Sequence, residues 1–215
     1  MDIHIMAGGP QNYIPDLSDY MGIDSIWIGV DRGVLYLLNR DIPVNAAFGD
    51  FDSVNEKELA EILQHSSTIK KFSPEKDETD MELALNWAVE KQPNTIRMFG
   101  ATGGRLDHTI ANIQLLLKKI LEKQQIHIEI IDNQNIVYVV KEGQYTLKRE
   151  ENYRYVSFFP YSTNIVGLTL EGFKYPLKDY TIPVSSTLCI SNELISEYGT
   201  FSFTKGILMI VRSHD

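Results

Sequence analysis

The chain predicts an α/β fold in two parts: a leading part built on a mostly parallel sheet, and a trailing part of antiparallel strands forming a small sandwich. Three observations predict it. Up to about residue 132, short apolar runs ended by turn residues alternate with helical patterns, the mark of βαβ units. One strand-to-helix turn carries the glycine-rich stretch Gly100-Ala-Thr-Gly-Gly-Arg-Leu-Asp107. From residue 133 the helical stripe stops, and β-branched and aromatic runs are divided by short polar or glycine-containing turns.

Ile3–Ala7 is the first strand pattern, ended by Gly8-Gly9-Pro10. Ser25–Val30 is the second, followed by Asp31-Arg32-Gly33. Val44–Phe48 leads into Gly49-Asp50-Phe51-Asp52-Ser53, and Thr68–Phe72 into Asp77-Glu78-Thr79-Asp80. Thr95–Phe99 leads into the glycine stretch, and Ile126–Ile131 ends at Asp132-Asn133. Between them, Ser53-Val-Asn-Glu56 and Thr79-Asp-Met-Glu82 both have capping-box spacing. Leu59, Ile62 and Leu63 form the inward stripe of the first helix, and Met81, Leu85, Ala88 and Val89 that of the second. Residues 108–123 carry Ile110, Ile113, Leu117, Ile120 and Leu121 beside Leu115 and Leu116, a helix apolar on most sides and expected to be covered on both. Further strands are expected at Ile136–Val140, Tyr145–Lys148, Tyr153–Phe159, Ile165–Leu170, Phe201–Thr204 and Ile207–Val211, with turns or bulges at Gly143, Gly172 and Lys205-Gly206.

Composition narrows the function. With 29 acidic and 20 basic residues the net charge is −9, which argues against a nucleic-acid binder. The single cysteine, Cys189, excludes an intrachain disulfide framework and fits a reducing compartment. Met1-Asp2-Ile3-His4 has no basic region before an apolar core, so a signal peptide is not expected. No apolar run approaches the ~20 residues of a membrane span. A cytoplasmic protein is the expectation.

Asp31, Asp50 and Asp52, Asp77 and Asp80, and Arg105 with Asp107 each follow a different strand pattern. In an open parallel sheet these segments meet at the carboxyl edge, where ligands bind. Each residue has a plainer reading: Asp31, Ser53 and Thr79 as helix caps, Asp80 as a favourable charge at a helix start, Asp50 and Asp52 as turn formers. Together they leave at least five carboxylates on one edge, and two charges ~4 Å apart repel by about 4 kcal/mol at an effective dielectric near 20. A hard divalent cation relieves this, and Mg²⁺ held by one or two carboxylates, water and substrate phosphates is its usual form. Asp50 and Asp52 both reach such an ion if their turn curls, with Asp80 as a third oxygen donor. The glycines offer backbone N–H groups to an anion, and Arg105 offers a fork that matches phosphate. Neither of the common glycine-rich nucleotide fingerprints is present.

With these residues assembled, the chain resembles the thiamine pyrophosphokinases. Asp31-Arg-Gly, Gly49-Asp-Phe-Asp-Ser53, Asp77-Glu-Thr-Asp80, Gly100-Ala-Thr-Gly-Gly-Arg-Leu-Asp-His108 and Ser191-Asn-Glu193 carry the resemblance in family order. It implies an N-terminal Rossmann-like, ATP-binding catalytic domain (residues 1–132) and a C-terminal β-sandwich domain for thiamine (133–215). It also implies a homodimer with thiamine near the interface, and the reaction of ATP with thiamine to give AMP and thiamine diphosphate. Position by position it implies Asp50, Asp52 and Asp80 as Mg²⁺ ligands. Asp31, Arg32, Asp77, Thr79, Thr102, Gly103, Gly104 and Arg105 fall at the ATP site, and Asp107, Ser191 and Asn192 at the thiamine site. Asp50, Asp52, Asp80 and Arg105 would carry catalysis. Some relatives set a tryptophan of the β domain against thiamine; here Trp27 and Trp87 both lie in the first part, so a Phe or Tyr must serve.

Two other readings use the same residues. Asp50-Phe-Asp52-Ser-Val54 resembles the nucleophile loop of haloacid-dehalogenase-type phosphatases, whose first Asp forms an aspartyl-phosphate. Those enzymes carry the motif after their first strand, whereas here it follows the third. A nucleotide- or thiamine-binding module without turnover is the second, although a pure binder gains little from so many carboxylates beside phosphates.

Overall fold

The structure, a computed structural model, describes residues 1–22, 24–51, 55, 57–58, 60, 69–71, 77–122 and 126–215. It is a mixed α/β chain with extensive sheet and few helices. It divides into two compact units: Met1–Leu115 with Gln125–Asn133, and Leu116–Gln124 with Gln134–Asp215.

The described strands of the first unit are β1 (Asp2–Met6), β2 (Ser25–Val30), β3 (Ala46–Gly49), β4 (Ile69–Lys71), β5 (Thr95–Phe99) and β6 (His127–Ile131). They lie in the order β6-β5-β1-β2-β3-β4, and every adjacent pair is parallel. The chain therefore winds outward from β1 in one direction and then restarts at β5 on its other side. Such a reversal is where open parallel sheets bind ligands, at the carboxyl ends of the flanking strands, here β1 and β5. Ile3, Ile5, Ile28, Phe48, Ile96 and Phe99 form the buried heart of this unit.

Three α-helices are described: α1 (Gly33–Leu38), α2 (Asp80–Glu90) and α3 (Leu106–Leu121). Thr79 caps α2, its hydroxyl accepting the Glu82 N–H at 3.1 Å, as the capping-box spacing requires. The inward face of α2 is Met81, Ala84, Leu85 and Ala88, so Ala84 replaces Val89 in the expected stripe. The helix expected after Ser53 falls mostly outside the described residues. In the single chain α3 is unevenly covered: Leu106 is 70% exposed, Ile110 50% and Leu121 61%, while Leu115 and Leu116 are buried. Asn112 and Lys119 take buried positions instead, which hydropathy alone would have assigned to the outside.

In the second unit, β7 (Asn135–Lys148), β8 (Tyr155–Pro160), β9 (Asn164–Glu171), β10 (Leu177–Pro183), β11 (Asn192–Glu193) and β12 (Tyr198–Ser213) are described. All their pairings are antiparallel. β12 is the organiser: it pairs with β7 along most of its length, with β9 through its first half and with β8 through its second. Runs expected as separate strands are therefore continuous, Ile136–Val140 with Tyr145–Lys148 in β7, and Phe201–Thr204 with Ile207–Val211 in β12. The irregularity expected at Gly143 and Lys205-Gly206 is a register shift within that pair, between Phe203 and Ile207. Phe158 anchors the core, edge-on to Phe173 at 5.5 Å and to Phe201 at 5.2 Å. Cys189 is buried beside them, and burial pushes its thiol up to about 11.

Candidate active site

The turns that follow β1, β2, β3 and β5 build the candidate site of the first unit. At these carboxyl ends, the β1 and β5 turns pack backbone on backbone. The Gly9 N–H donates to Gly100 O at 2.9 Å, and a Cβ on Gly9 would collide with that carbonyl. Only glycine permits this approach. From the sequence the Gly8-Gly9 turn reads only as the end of a strand. Its signal was there, since two glycines followed by proline directly after the first strand mark a close backbone approach.

Beyond Gly100 the loop turns through Gly103 and Gly104, both at positive φ. It is pinned from two sides: the Thr102 hydroxyl donates to Asp132 Oδ2 at 2.7 Å, and Asn112 Nδ2 donates to Ala101 O at 2.8 Å. Asp132 is buried, so the Thr102 side chain serves the loop's shape. Asn133 continues the same support, donating its backbone N–H to Tyr13 O at 2.9 Å and its side-chain amide to Asn12 O at 2.9 Å.

Arg105 and Asp107 stand at the exit of this loop, 73% and 62% exposed. They pair through two hydrogen bonds, Nε to Oδ1 at 3.1 Å and Nη2 to Oδ2 at 2.6 Å. The bond from Arg105 holds the Asp107 carboxyl below its usual range. His108, exposed at the start of α3, donates its N–H to Asp107 Oδ1 at 3.0 Å.

The β2 and β3 turns meet each other. The Asp31 N–H extends the ladder to Phe48 O at 2.9 Å, and Asp31 itself sits at φ 49°. Asp31 is not a side-chain cap for α1: Arg32 holds the cap position, and no side-chain cap bond is made there. The Asp31 carboxylate lies instead against Gly49, where a Cβ would collide with Oδ1. Asp50 follows, partly buried, between Gly49 at φ 146° and Phe51 at φ 58°. Asp80 is the first residue of α2 and partly buried, and Asp77 and Thr79 are exposed just before it. Asp52 lies outside the described residues, and among the described residues no group of three His, Cys, Asp or Glu side chains gathers tightly enough to hold a metal. The donors present are nonetheless all carboxylate oxygens, the chemistry a hard cation takes.

In the second unit, Ser191 is exposed at φ 56°, its N–H donating to Ser157 Oγ at 2.9 Å. Asn192 is 2% exposed. Its Oδ1 accepts the N–H groups of Tyr175 at 3.0 Å and Glu193 at 2.9 Å, and its Nδ2 donates to Tyr175 O at 2.9 Å. Glu193 accepts from Lys174 Nζ at 2.7 Å and Arg154 Nε at 2.9 Å. Tyr175 presents 58% of its surface to solvent. No composition or spacing argument singles it out; its signal is spatial, through Asn192.

Known proteins resemble this chain in sequence and in fold. Residues 17–130 match the family model for the catalytic domain of thiamin pyrophosphokinase, and residues 144–208 that for its vitamin B1 binding domain. A thiamine pyrophosphokinase of Bacillus subtilis is 52% identical over 213 residues, 99% of both chains. A crystal structure of the enzyme from B. subtilis superposes with a TM-score of 0.95 at 50% identity, covering all of both chains. One from Geobacillus thermodenitrificans superposes at 0.90 with 48% identity, over 100% of this chain and 98% of that one. Two matched domains and a relative alike over its whole length show that this chain belongs to the thiamine pyrophosphokinase family.

Proposed function

We propose that the chain transfers the diphosphoryl group of ATP to the hydroxyl of thiamine, giving thiamine diphosphate and AMP. The observation that carries this reading is the full-length identity to a thiamine pyrophosphokinase. The Asp31–Gly49 contact and the Gly9–Gly100 contact support it, because they are glycine-dependent approaches at the carboxyl ends of parallel strands.

In this reading a Rossmann-like domain, residues 1–132, takes ATP, and a β-sandwich domain, 133–215, takes thiamine. The backbone of Thr102, Gly103 and Gly104 and the Arg105 fork bind phosphate oxygens, with Asp31, Arg32, Asp77 and Thr79 around the nucleotide. Asp50, Asp52 and Asp80 would hold Mg²⁺, which when bound neutralises phosphate charge and stabilises the leaving group. Ser191 receives the cationic acceptor on the second unit, and Asp107 carries a carboxylate of matching charge on the first. Tyr175 is the aromatic that packs on it: its ring is open to solvent and its backbone is clamped to Asn192.

The thiamine hydroxyl attacks the β-phosphorus, the bond from that phosphorus to the α–β bridging oxygen breaks, and AMP departs with that oxygen. Catalysis of this kind is mostly positioning and charge stabilisation. Arg105 is held ready by a partner it exchanges for phosphate, and the rigid loop beneath it fixes where that phosphate sits.

A homodimer and a cytoplasmic location belong to the same reading. Tyr180, Val184, Leu188, Ile190, Ile195 and Tyr198 are large apolar side chains exposed on the second unit, the kind of surface a partner covers. Among the described residues no helix is long and apolar enough to cross a membrane.

The test is to incubate the protein with ATP and Mg²⁺, with and without thiamine, and to quantify products chromatographically. Thiamine-dependent, equimolar AMP and thiamine diphosphate are expected. Free phosphate without AMP would point to a phosphatase, and binding without product to a non-catalytic module.

A further inference from the structure

We infer that Asn192 is a positioning residue for thiamine: it sets Tyr175 against the substrate and does not touch the substrate itself. This rests on the reading that thiamine lies beside Ser191 and Tyr175.

Asn192 is 2% exposed, and three of the four hydrogen-bonding capacities of its amide are already committed within the protein. A side chain so placed has no accessible surface to offer a ligand. Two of its three bonds go to one residue, taking both the N–H and the C=O of Tyr175. The side chain thus imitates a strand partner for Tyr175, where the ladder itself is short: β11 is only Asn192–Glu193, paired to β8.

The neighbouring backbone continues the clamp. Lys174 N–H donates to Glu193 O at 2.8 Å, Ile195 N–H to Gly172 O at 3.0 Å, and Phe173 bridges Leu194. Phe173 is itself buried in the aromatic core against Phe158. The segment 172–175 is therefore fixed at its inner end by packing and at its outer end by one amide.

Tyr175 combines an ordered backbone with a ring 58% exposed. An exposed ring on a fixed backbone suits the face of a planar cationic heterocycle. Lys174 Nζ already lies 5.6 Å from that ring's centroid, tethered by Glu193 at 2.7 Å, so the ring face accepts a cation in this structure. Clamping the ring in advance removes ordering cost from binding.

The test is a double-substitution cycle on the full-length enzyme, using Asn192→Ala, Tyr175→Ala and both together. Thiamine KM, ATP KM and melting temperature are measured for each. Each single change should raise thiamine KM about five- to tenfold, the worth of one aromatic contact to a cation, and leave ATP KM unmoved. The double variant should be no worse than either single. Asn192→Asp keeps the two accepted bonds and loses the donated one, so it should give an intermediate rise that disappears in the Tyr175→Ala background. It carries the cycle if Asn192→Ala does not fold. Multiplying effects in the double variant would mean that Asn192 meets thiamine independently and would overturn the proposal. A lowered melting temperature with unchanged thiamine KM would reduce Asn192 to a purely structural role and overturn it as well. An unchanged thiamine KM in Tyr175→Ala alone would instead overturn the placement of thiamine on that ring.

Discussion

Arg105 and Asp107 close on each other across a single residue, with Nη2 2.6 Å from Oδ2 and Nε 3.1 Å from Oδ1. Both side chains remain mostly in water. A pair this exposed contributes little to stability because solvent screens it and ordering opposes it. In the proposed reading it keeps a phosphate-matching fork and a cation-matching carboxylate pre-oriented on one loop, each occupying the other until substrates compete.

Asp107→Asn should therefore leave the melting temperature within about 2 °C of the parent, since an exposed pair adds little to folding. Thiamine KM should rise about tenfold, the scale of one lost charge-assisted contact. Thermal denaturation beside steady-state kinetics checks both halves.

Much of the first unit was legible in the sequence because its strands are buried on both faces and end in turn residues. Ser25–Val30 and Thr95–Phe99 match the observed strands residue for residue, and the Thr79 cap follows from its spacing with Glu82. The misses have physical causes. β10 was not foreseen because Lys178, Asp179 and Tyr180 face solvent, so this strand at the end of the hydrogen-bonded order carries no apolar alternation. By residue type Ile110 counts towards an apolar helix, yet α3 leaves it half exposed and buries Asn112, whose amide donates to the loop carbonyl of Ala101. The motifs of the candidate site were visible as residue types, but not the pairing of Arg105 with Asp107, nor the Asn192 clamp, because both depend on where side chains point.

Gly9→Ala should destabilise the protein by about 1–3 kcal/mol, the usual cost of forcing a methyl into filled space. Gly100 O already occupies the position such a methyl would take. Because the turn must shift to admit it, ATP binding should weaken as well. Denaturant titration and calorimetric titration with a non-hydrolysable ATP analogue report the two effects.

Asp80→Asn should lower turnover by at least about a hundredfold, the order expected when a group stabilising transition-state charge is lost, while the fold survives. Asn keeps the shape of the residue at the start of α2 and loses only the charge. Turnover equal to that of the parent would remove Asp80 from the proposed Mg²⁺ site.

His4 gives the molecule an acid limit. It is buried against Trp27 at 4.6 Å with Nδ1 unpartnered. Burial, then the nearby Arg97 charge, lowers its pKa from 6.5 to about 4. Between those values the unfolded chain binds a proton that the folded chain refuses. Stability is therefore whole above about 6.5 and falls as pH drops towards about 4. His4→Leu should flatten this limb by up to about 3 kcal/mol, read from urea midpoints between pH 4 and 7.

The most direct test of the account follows the oxygen that bridges the α- and β-phosphorus of ATP. With that oxygen labelled as ¹⁸O, a reaction with thiamine and Mg²⁺ should place the label in AMP and leave thiamine diphosphate unlabelled, in equal amounts, by mass spectrometry. Label retained in the thiamine product, or orthophosphate released without AMP, would contradict attack at the β-phosphorus.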